Sequence, residues 1–469
     1  MEGGPLSRAF RPLTIGIIAL VGSVAFEAMA VATAMPVVAR ELNGESAYGL
    51  AFSLFLTAAL VATVAAGSWC DLKGPRPALL TGLALIVGGL LVSGLSGAFL
   101  LMTVGRAVSG LGGGLLVVAL YVIIGEAYPG KLQPIVFGWM SAAWVLPSLI
   151  GPLVAGYLAQ SVSWRWVFLG VVPITVCALA LVWPRIRELG APEPPSMDAS
   201  QGRRRSTLGL LLGSGVFVLQ WALHGTAEQA SWWLAAAMAA GALAVAWAAP
   251  RLLPVGAFRL GHGLPSVVMT RGLLAMAFFG AEAFVPLMLV NAHGLQPAMA
   301  GLALTGGALG WSIGAFLQSR VRLERHWILV AAAAATGVSI AAMALLSASG
   351  TPFWLIMVVW ALTGLSIGAS FSTTSVLVLN LSTANERGRN SASLQLSDQL
   401  GSVAGTAGAG TLFAALRDPA HPEQIGVFVV IWVSLAAAAL LGIVAAARSG
   451  PASGGPAGRV KEQTGVGSA

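Results

Sequence analysis

Four ionisable side chains lie deep inside stretches that are otherwise apolar and long enough to cross a membrane: Glu27 in 13–37, Arg106 in 98–124, Glu282 in 268–292 and Asp398 in 390–416. A charged group at the centre of a membrane helix costs from about 3 kcal/mol to well above that, so such groups mark paths for ions, protons or substrate. Burial favours the neutral form of a carboxylate, and a neighbouring arginine favours the charged form. A Glu27 that moves towards and away from a cation would therefore take up and release a proton. Arg106 suits the role of that cation, because a guanidinium stays charged and donates as a fork. The alternative is a permanent Glu27–Arg106 pair that only fixes helix packing. Glu282 is either a second coupling carboxylate or a substrate contact. Asp398 forms a polar patch with Gln395 and Gln399, read as a second protonation site, a cytoplasmic gate or a capped, water-facing carboxylate.

Depth supports grouping the first three. At 1.5 Å per residue, Glu27 and Glu282 each lie about 15 Å from the ends of their spans, and Arg106 about 12 Å. All three are expected to face one central cavity. Arg271, near the start of its span, is expected to snorkel to the membrane surface.

The elements that must hold these residues follow from composition. Hydrophobic residues make up 57% of the chain and charged residues 9%, against about 25% charged in a soluble domain. The chain cannot cover a water-facing surface, and its apolar runs have helical rather than barrel-strand length. The fold class expected is an all-α integral membrane protein. Cys70 and Cys177 both fall in apolar runs and imply no disulfide framework. The net charge of +8 resides in loops and does not point to nucleic acid. No phosphate-binding Gly-Lys-Ser/Thr loop is present, which excludes the usual ATP-driven pump. The five histidines are scattered, with no metal-ligand spacing. No nucleophile cluster suggests an enzyme.

Six spans are expected before the first polar break, at 13–37, 47–70, 77–96, 98–124, 132–159 and 165–184. These form an N-terminal bundle, 1–184. A Pro-rich charged linker follows at 185–206, then two inserted spans and a basic loop within 207–263. A second six-span bundle occupies 264–448, and the Gly/Ser/Pro-rich tail 449–469 is expected to be disordered. The N-terminal apolar run is too long for a signal peptide and reads as the first span. Of the 25 basic residues, Arg40, Arg165 and Arg417 fall on one side, Arg106 and Arg271 within spans, and the rest on the other side. The positive-inside rule then puts both termini in the cytoplasm. The halves echo each other: Phe26-Glu27-Ala28 and Ala281-Glu282-Ala283 are each followed by a proline, Pro36 and Pro286. Internal repeats of this kind build many transporter folds.

Four short motifs fall in order on this span map. Gly67, Asp71, Gly74 and Arg76 fit G-x-x-x-D-x-x-G-x-[RK] between spans 2 and 3. Arg106 and Gly110 fit R-x-x-x-G in span 4, and Gly151-Pro152 with Gly156 fits G-P-x-x-G in span 5. Trp164-Arg165-Trp166-Val167-Phe168 opens span 6. With these, the chain resembles the major facilitator superfamily (MFS), in the fourteen-span drug:proton antiporter branch. It departs from that branch in carrying Glu27 where an aspartate is usual, and Gly170-Val171 after the Trp-Arg-Trp motif.

The resemblance implies two six-helix bundles plus two inserted helices. It implies proton-coupled export of hydrophobic or amphipathic small molecules by alternating access, with no cofactor, from the bacterial cytoplasmic membrane and as a monomer. Partners would be the substrate, protons and membrane lipid. A lipid or glycolipid exporter on the same fold is the alternative. The resemblance gives Gly67, Asp71, Gly74 and Arg76 the role of a cytoplasmic gate, and Pro147, Gly151, Pro152 and Gly156 that of a tight joint between bundles. Trp144, Trp311 and Trp360 are candidates to line an apolar cavity.

Overall fold

The computed structural model describes residues 4–450 apart from 9, 188–198, 229–230, 319, 322, 349, 384–385, 419 and 422. The tail at 451–469 and half of the expected linker, 188–198, lie outside the described residues. Sixteen α-helices longer than a single turn are described, and they make fourteen crossing segments.

The first four crossings are α1 (Arg11–Glu41), α2 (Leu50–Lys73), α3 (Pro75–Leu95) and α4 (Phe99–Ala127). The fifth is broken into α5 (Gln133–Ala142) and α6 (Val145–Leu158). Pro147 explains the break, since its ring clashes with the carbonyl four residues earlier, at Ala143. The sixth is likewise divided, α7 (Arg165–Leu169) and α8 (Val171–Ile186). The inserted pair is α9 (Ala199–Glu228) and α10 (Trp232–Leu252). The second bundle comprises α11 (Leu264–Asn291), α12 (Pro297–Leu317), α13 (Arg325–Leu346), α14 (Phe353–Asn380), α15 (Arg387–Leu416) and α16 (Ile425–Ala447).

Among the described residues, twelve helices are long and apolar enough by composition to cross a membrane. The other two crossings have physical reasons to fall short. The apolar part of α9 is only Thr207–Leu223. α15 has the length but carries Arg387, Arg389, Asn390, Gln395, Asp398 and Gln399; it is packed between α11, α2 and α9, so protein rather than lipid meets much of that polarity.

The sequence echo is a packing echo. α1 packs on α6 and α8 as α11 packs on α15 and α16; α4 packs on α2 and α3 as α14 packs on α12 and α13. Small residues set the spacing of equivalent pairs. A Cβ at Gly110 would collide with the Phe55 carbonyl of α2, and one at Gly310 with the Ala361 carbonyl of α14. α9 lies along both bundles: Gly209 and Gly213 admit Val64 and Val61 of α2, and Leu208, Leu212 and Val216 share an apolar cluster with Val403 of α15.

Candidate functional site

α1 and α4 bring Glu27 and Arg106 together inside the N-terminal bundle. Arg106 Nη1 donates to Glu27 Oε1 at 2.9 Å, and the Ser109 hydroxyl donates to the same oxygen. Both charged residues are 2% exposed. Arg106 Nε also donates to the Ala51 carbonyl at 3.2 Å, and the guanidinium lies 4.2 Å from the Phe55 ring centroid. Gly110 makes this possible by letting α4 approach the α2 backbone. The pair is therefore walled by α2 as well as by α1 and α4. Ser109 had a legible signal, three residues beyond Arg106 and so on the same helix face.

Glu282 has a different environment. It is partly buried, and no hydrogen bond or ion pair reaches it among the described residues. The partly open positions Met276, Phe279 and Glu282 recur every three residues along α11, and Ile18, Gly22, Phe26 and Met29 recur every three or four along α1. α1 and α11 meet across the bundle interface, so these two stripes flank the space between the bundles. The expectation that Glu27, Arg106 and Glu282 all face one cavity is thus corrected: Glu282 lies on an open stripe, while the Glu27–Arg106 pair is turned into its own bundle. The prolines show why. Glu27 precedes Pro36 by nine residues and Glu282 precedes Pro286 by four. Five residues of offset rotate a helix position by about 140° at 3.6 residues per turn, so the two glutamates are not register equivalents.

A second buried ion pair lies in the C-terminal bundle. Arg271 Nη2 donates to Asp398 Oδ2 at 3.1 Å, and Nη1 donates to the Phe371 carbonyl at 2.9 Å. The guanidinium lies 3.5 Å from the Phe371 ring centroid. Arg271 therefore does not snorkel; a carboxylate, a carbonyl and a ring hold it inside the bundle. Asp398 Oδ1 and Arg271 Nε are buried without hydrogen-bond partners. Sequence reading missed this pair because its members are 127 residues apart and on different helices.

The three tryptophans separate. Trp360 is fully buried, stacked on Phe278 at 5.2 Å, and lines no open space. Trp311 is half-buried between Phe278 and Phe371, at 5.3 and 4.9 Å, and remains a candidate for a cavity wall. Trp144 is 37% exposed at the start of α6.

Contacts between the bundles gather at the end opposite the termini. Arg417 Nη1 pairs with Glu45 Oε2 at 3.0 Å, and Arg40 Nη2 donates to Asn291 Oδ1 at 3.2 Å. Arg165 pairs with Glu41 at 3.1 Å at the same end. These are the three basic residues that the charge count left on the minority side, and each has a polar partner there. Deeper down, the Tyr48 hydroxyl donates to the Ala283 carbonyl at 3.0 Å. Along the second seam, a Cβ at Gly156 would lie 2.6 Å from Ala298 Cα, and Thr305 donates to the Leu149 carbonyl at 3.0 Å. Pro147, Gly151, Pro152 and Gly156 are all buried, with Gly156 and Pro152 packed on α12 and Gly151 on Phe26 of α1. Gly156→Leu is expected to force this end apart: a cysteine placed at Asn291 should gain reactivity towards a water-soluble maleimide. Unchanged reactivity would show that the glycine is not part of the closure.

The loop between α2 and α3 is partly described. The Asp71 side chain lies outside the described residues. Gly74 has φ +76° and ψ 171°, and its N–H donates to the Cys70 carbonyl at 2.8 Å. That region is open essentially to glycine alone, so Gly74→Ala should cost about 1–3 kcal/mol, measurable as a lowered Tm of the purified protein. Gly67 was expected to permit close backbone approach, but a Cβ there would meet nothing within 4 Å among the described residues. Arg76 is exposed, 5.2 Å from the Trp183 ring centroid of α8.

Two bundles of repeated packing, joined by inserted helices and holding ionic pairs within their spans, make this a multi-pass membrane protein. The sequence profile of the Major Facilitator Superfamily matches residues 17–280 and 267–468, and the chain belongs to that family. It is 27% identical over 412 residues to an uncharacterized MFS-type transporter of Mycobacterium tuberculosis, covering 83% of this chain and 57% of the relative. The chain thus spans a little over half the length of that relative. It is 24% identical over 406 residues to the multidrug efflux pump SdrM of Staphylococcus aureus, covering 85% and 89% of the two chains. A crystal structure of a POT family transporter in complex with 5-aminolevulinic acid shares the fold, with TM-score 0.69, 14% identity and coverage of 94% and 97%. These relatives are described as transporters and pumps, not as enzymes.

Proposed function

We propose that the protein is a proton-coupled antiporter that exports hydrophobic or amphipathic small molecules by alternating access. The observation that carries this reading is the contrast between two intramembrane carboxylates. Glu27 is held by Arg106 and Ser109 in a dry bundle interior. Glu282 stands unpaired on a partly open stripe with Phe279 and Met276. A proton arriving at Glu27 cancels its attraction to Arg106 and frees the guanidinium, which changes the α1–α4–α2 packing. Glu282 offers a carboxyl group that a cationic substrate would pair with, displacing its proton to water, with apolar walls beside it. The bundles are held together at the end opposite the termini by Arg417–Glu45, Arg40–Asn291 and Tyr48–Ala283, which in this reading, with both termini cytoplasmic, is the outer gate. In this reading Asp71 with Gly74 and Arg76 closes the cytoplasmic end in the other half of the cycle. The Arg271–Asp398 pair serves as a second ionic switch. The proton gradient of the bacterial cytoplasmic membrane is the energy source, and a single chain suffices.

The likeness to the Staphylococcus aureus efflux pump over most of both chains supports export of small molecules. The test is a substrate panel in a host strain stripped of its own exporters. The wild-type chain should raise tolerance to at least one apolar or amphipathic compound, and Glu27→Gln should not. A Glu27→Gln chain that protects as well as wild type would contradict the assignment. Lipid retained through purification, with no protection against any compound, would favour a lipid exporter instead.

A further inference from the structure

The two seams between the bundles are not finished alike. Where α2 meets α15, Gly49 and Gly410 bring the backbones together, and a Cβ at Gly410 would lie 2.7 Å from Gly49 Cα. Beside this contact is a narrow crevice walled by α2, α9 and α15, with Leu50, Ser53, Gln220, Leu223, Ala407 and Thr411 among its lining. Two buried polar atoms in this lining have no hydrogen-bond partner among the described residues: Ser53 Oγ, on a residue 0% exposed, and Gln220 Oε1, on a residue 4% exposed. The other end of the Gln220 amide is committed, because Nε2 donates to Thr57 Oγ1 at 2.8 Å. Turning the amide would only exchange that bond for one donated by the Thr57 hydroxyl and leave Nε2 unmet instead, so one polar atom of Gln220 faces the crevice in either orientation. Ser53 is three residues inside the start of α2, about 5 Å deep, where the polar head of an amphipath would meet hydrocarbon.

An unsatisfied polar group at membrane depth costs on the order of several kcal/mol, and here two line one gap. The site has one unmet acceptor and one hydroxyl that both donates and accepts. A ligand hydroxyl placed between them would donate to Gln220 Oε1 and accept from Ser53 Oγ. Leu50, Leu223 and Ala407 leave apolar wall for an attached chain. We propose that the α2–α9–α15 crevice binds the hydroxyl head of a single-chain amphipath drawn from the bilayer. Such a ligand bridges both bundles and the inserted helix at the closed end. The inserted helix thereby gains a role: it supplies Gln220 and turns a seam into a site. This proposal does not depend on the proton-coupling reading, since neither Glu27 nor Glu282 lines the crevice.

The test uses the full-length protein in phospholipid nanodiscs and two photoreactive probes, a diazirine-bearing 1-dodecanol and the matching dodecyl methyl ether. The ether can accept from Ser53 but cannot donate to Gln220. The alcohol should label peptides of α2, α9 and α15 about fivefold more than the ether, the factor expected for one net hydrogen bond. Ser53→Ala should reduce alcohol labelling by a similar factor without lowering Tm, because that hydroxyl has no partner to lose. Ala407→Phe, which fills the crevice, should abolish labelling. Equal labelling by alcohol and ether, or labelling indifferent to both substitutions, would overturn the proposal. So would an absence of crevice labelling, which would mean that water alone meets the two atoms.

Discussion

Glu27→Gln is expected to reduce transport driven by a pH gradient to the level of empty proteoliposomes, while substrate exchange at equal pH on both sides continues. The substitution keeps size and most hydrogen bonding: the new amide oxygen can accept from Arg106 and Ser109, as Glu27 Oε1 does. What disappears is the group that exchanges a proton, together with the negative charge opposite Arg106, so a lowered Tm is expected as well. Glu282→Gln should act differently. Glu282 has no partner to release among the described residues, so its loss should weaken binding of cationic substrates more than neutral ones. If Glu27→Gln and Glu282→Gln gave the same phenotype on every substrate, the division of labour between the two carboxylates would be wrong.

Arg106→Ala is expected to be among the most destabilising single substitutions in the chain. Removing one partner of a buried ion pair typically costs about 3–5 kcal/mol, because the other charge is left uncompensated. Here the guanidinium also fills space against Phe55 and satisfies the Ala51 carbonyl. Thermal unfolding of the purified protein should show a large fall in Tm. The double variant Glu27→Gln/Arg106→Ala should recover much of that loss, since no lone charge remains. Arg106→Lys should fall between the two, since an ammonium offers no planar fork to reach Glu27 and Ala51 together. If the double variant were as unstable as the sum of the singles, the loss would come from packing and not from the orphaned carboxylate.

The span map was legible in the sequence because lipid imposes length and apolarity on every crossing. It was legible even for α15, whose polar residues spoil its hydropathy, since a long apolar remainder and the repeat required a helix there. The Glu27–Arg106 pair was also readable. Two opposite charges at similar depth, in helices that the motif order places in one bundle, have few other ways to be neutralised. What sequence could not supply was rotation about each helix axis. Glu282 shares its neighbours' letters with Glu27 but not its register against the proline, and so opens on a different side. Arg271 read as an interfacial arginine because its partner Asp398 is far along the chain. Trp360 read as a cavity candidate, but aromatic packing against Phe278 seals it in. Gly67 fits a motif whose close contact is not made in this conformation, whereas Gly74 is required by its backbone angle in any case. The pairing of Arg40, Arg165 and Arg417 at one end was hidden in plain view: each was an exception to the charge rule, and acids or an amide lie within reach of each.

The proposed coupling makes binding of cargo and release of a proton alternatives set by Glu27 and Arg106. It is tested most directly by adding a transported compound to the purified protein in weakly buffered detergent solution and recording the pH. The wild-type protein should release protons on binding, with an amplitude that saturates with substrate, and Glu27→Gln should release none or fewer while still binding. Proton release of full amplitude from Glu27→Gln would contradict the account.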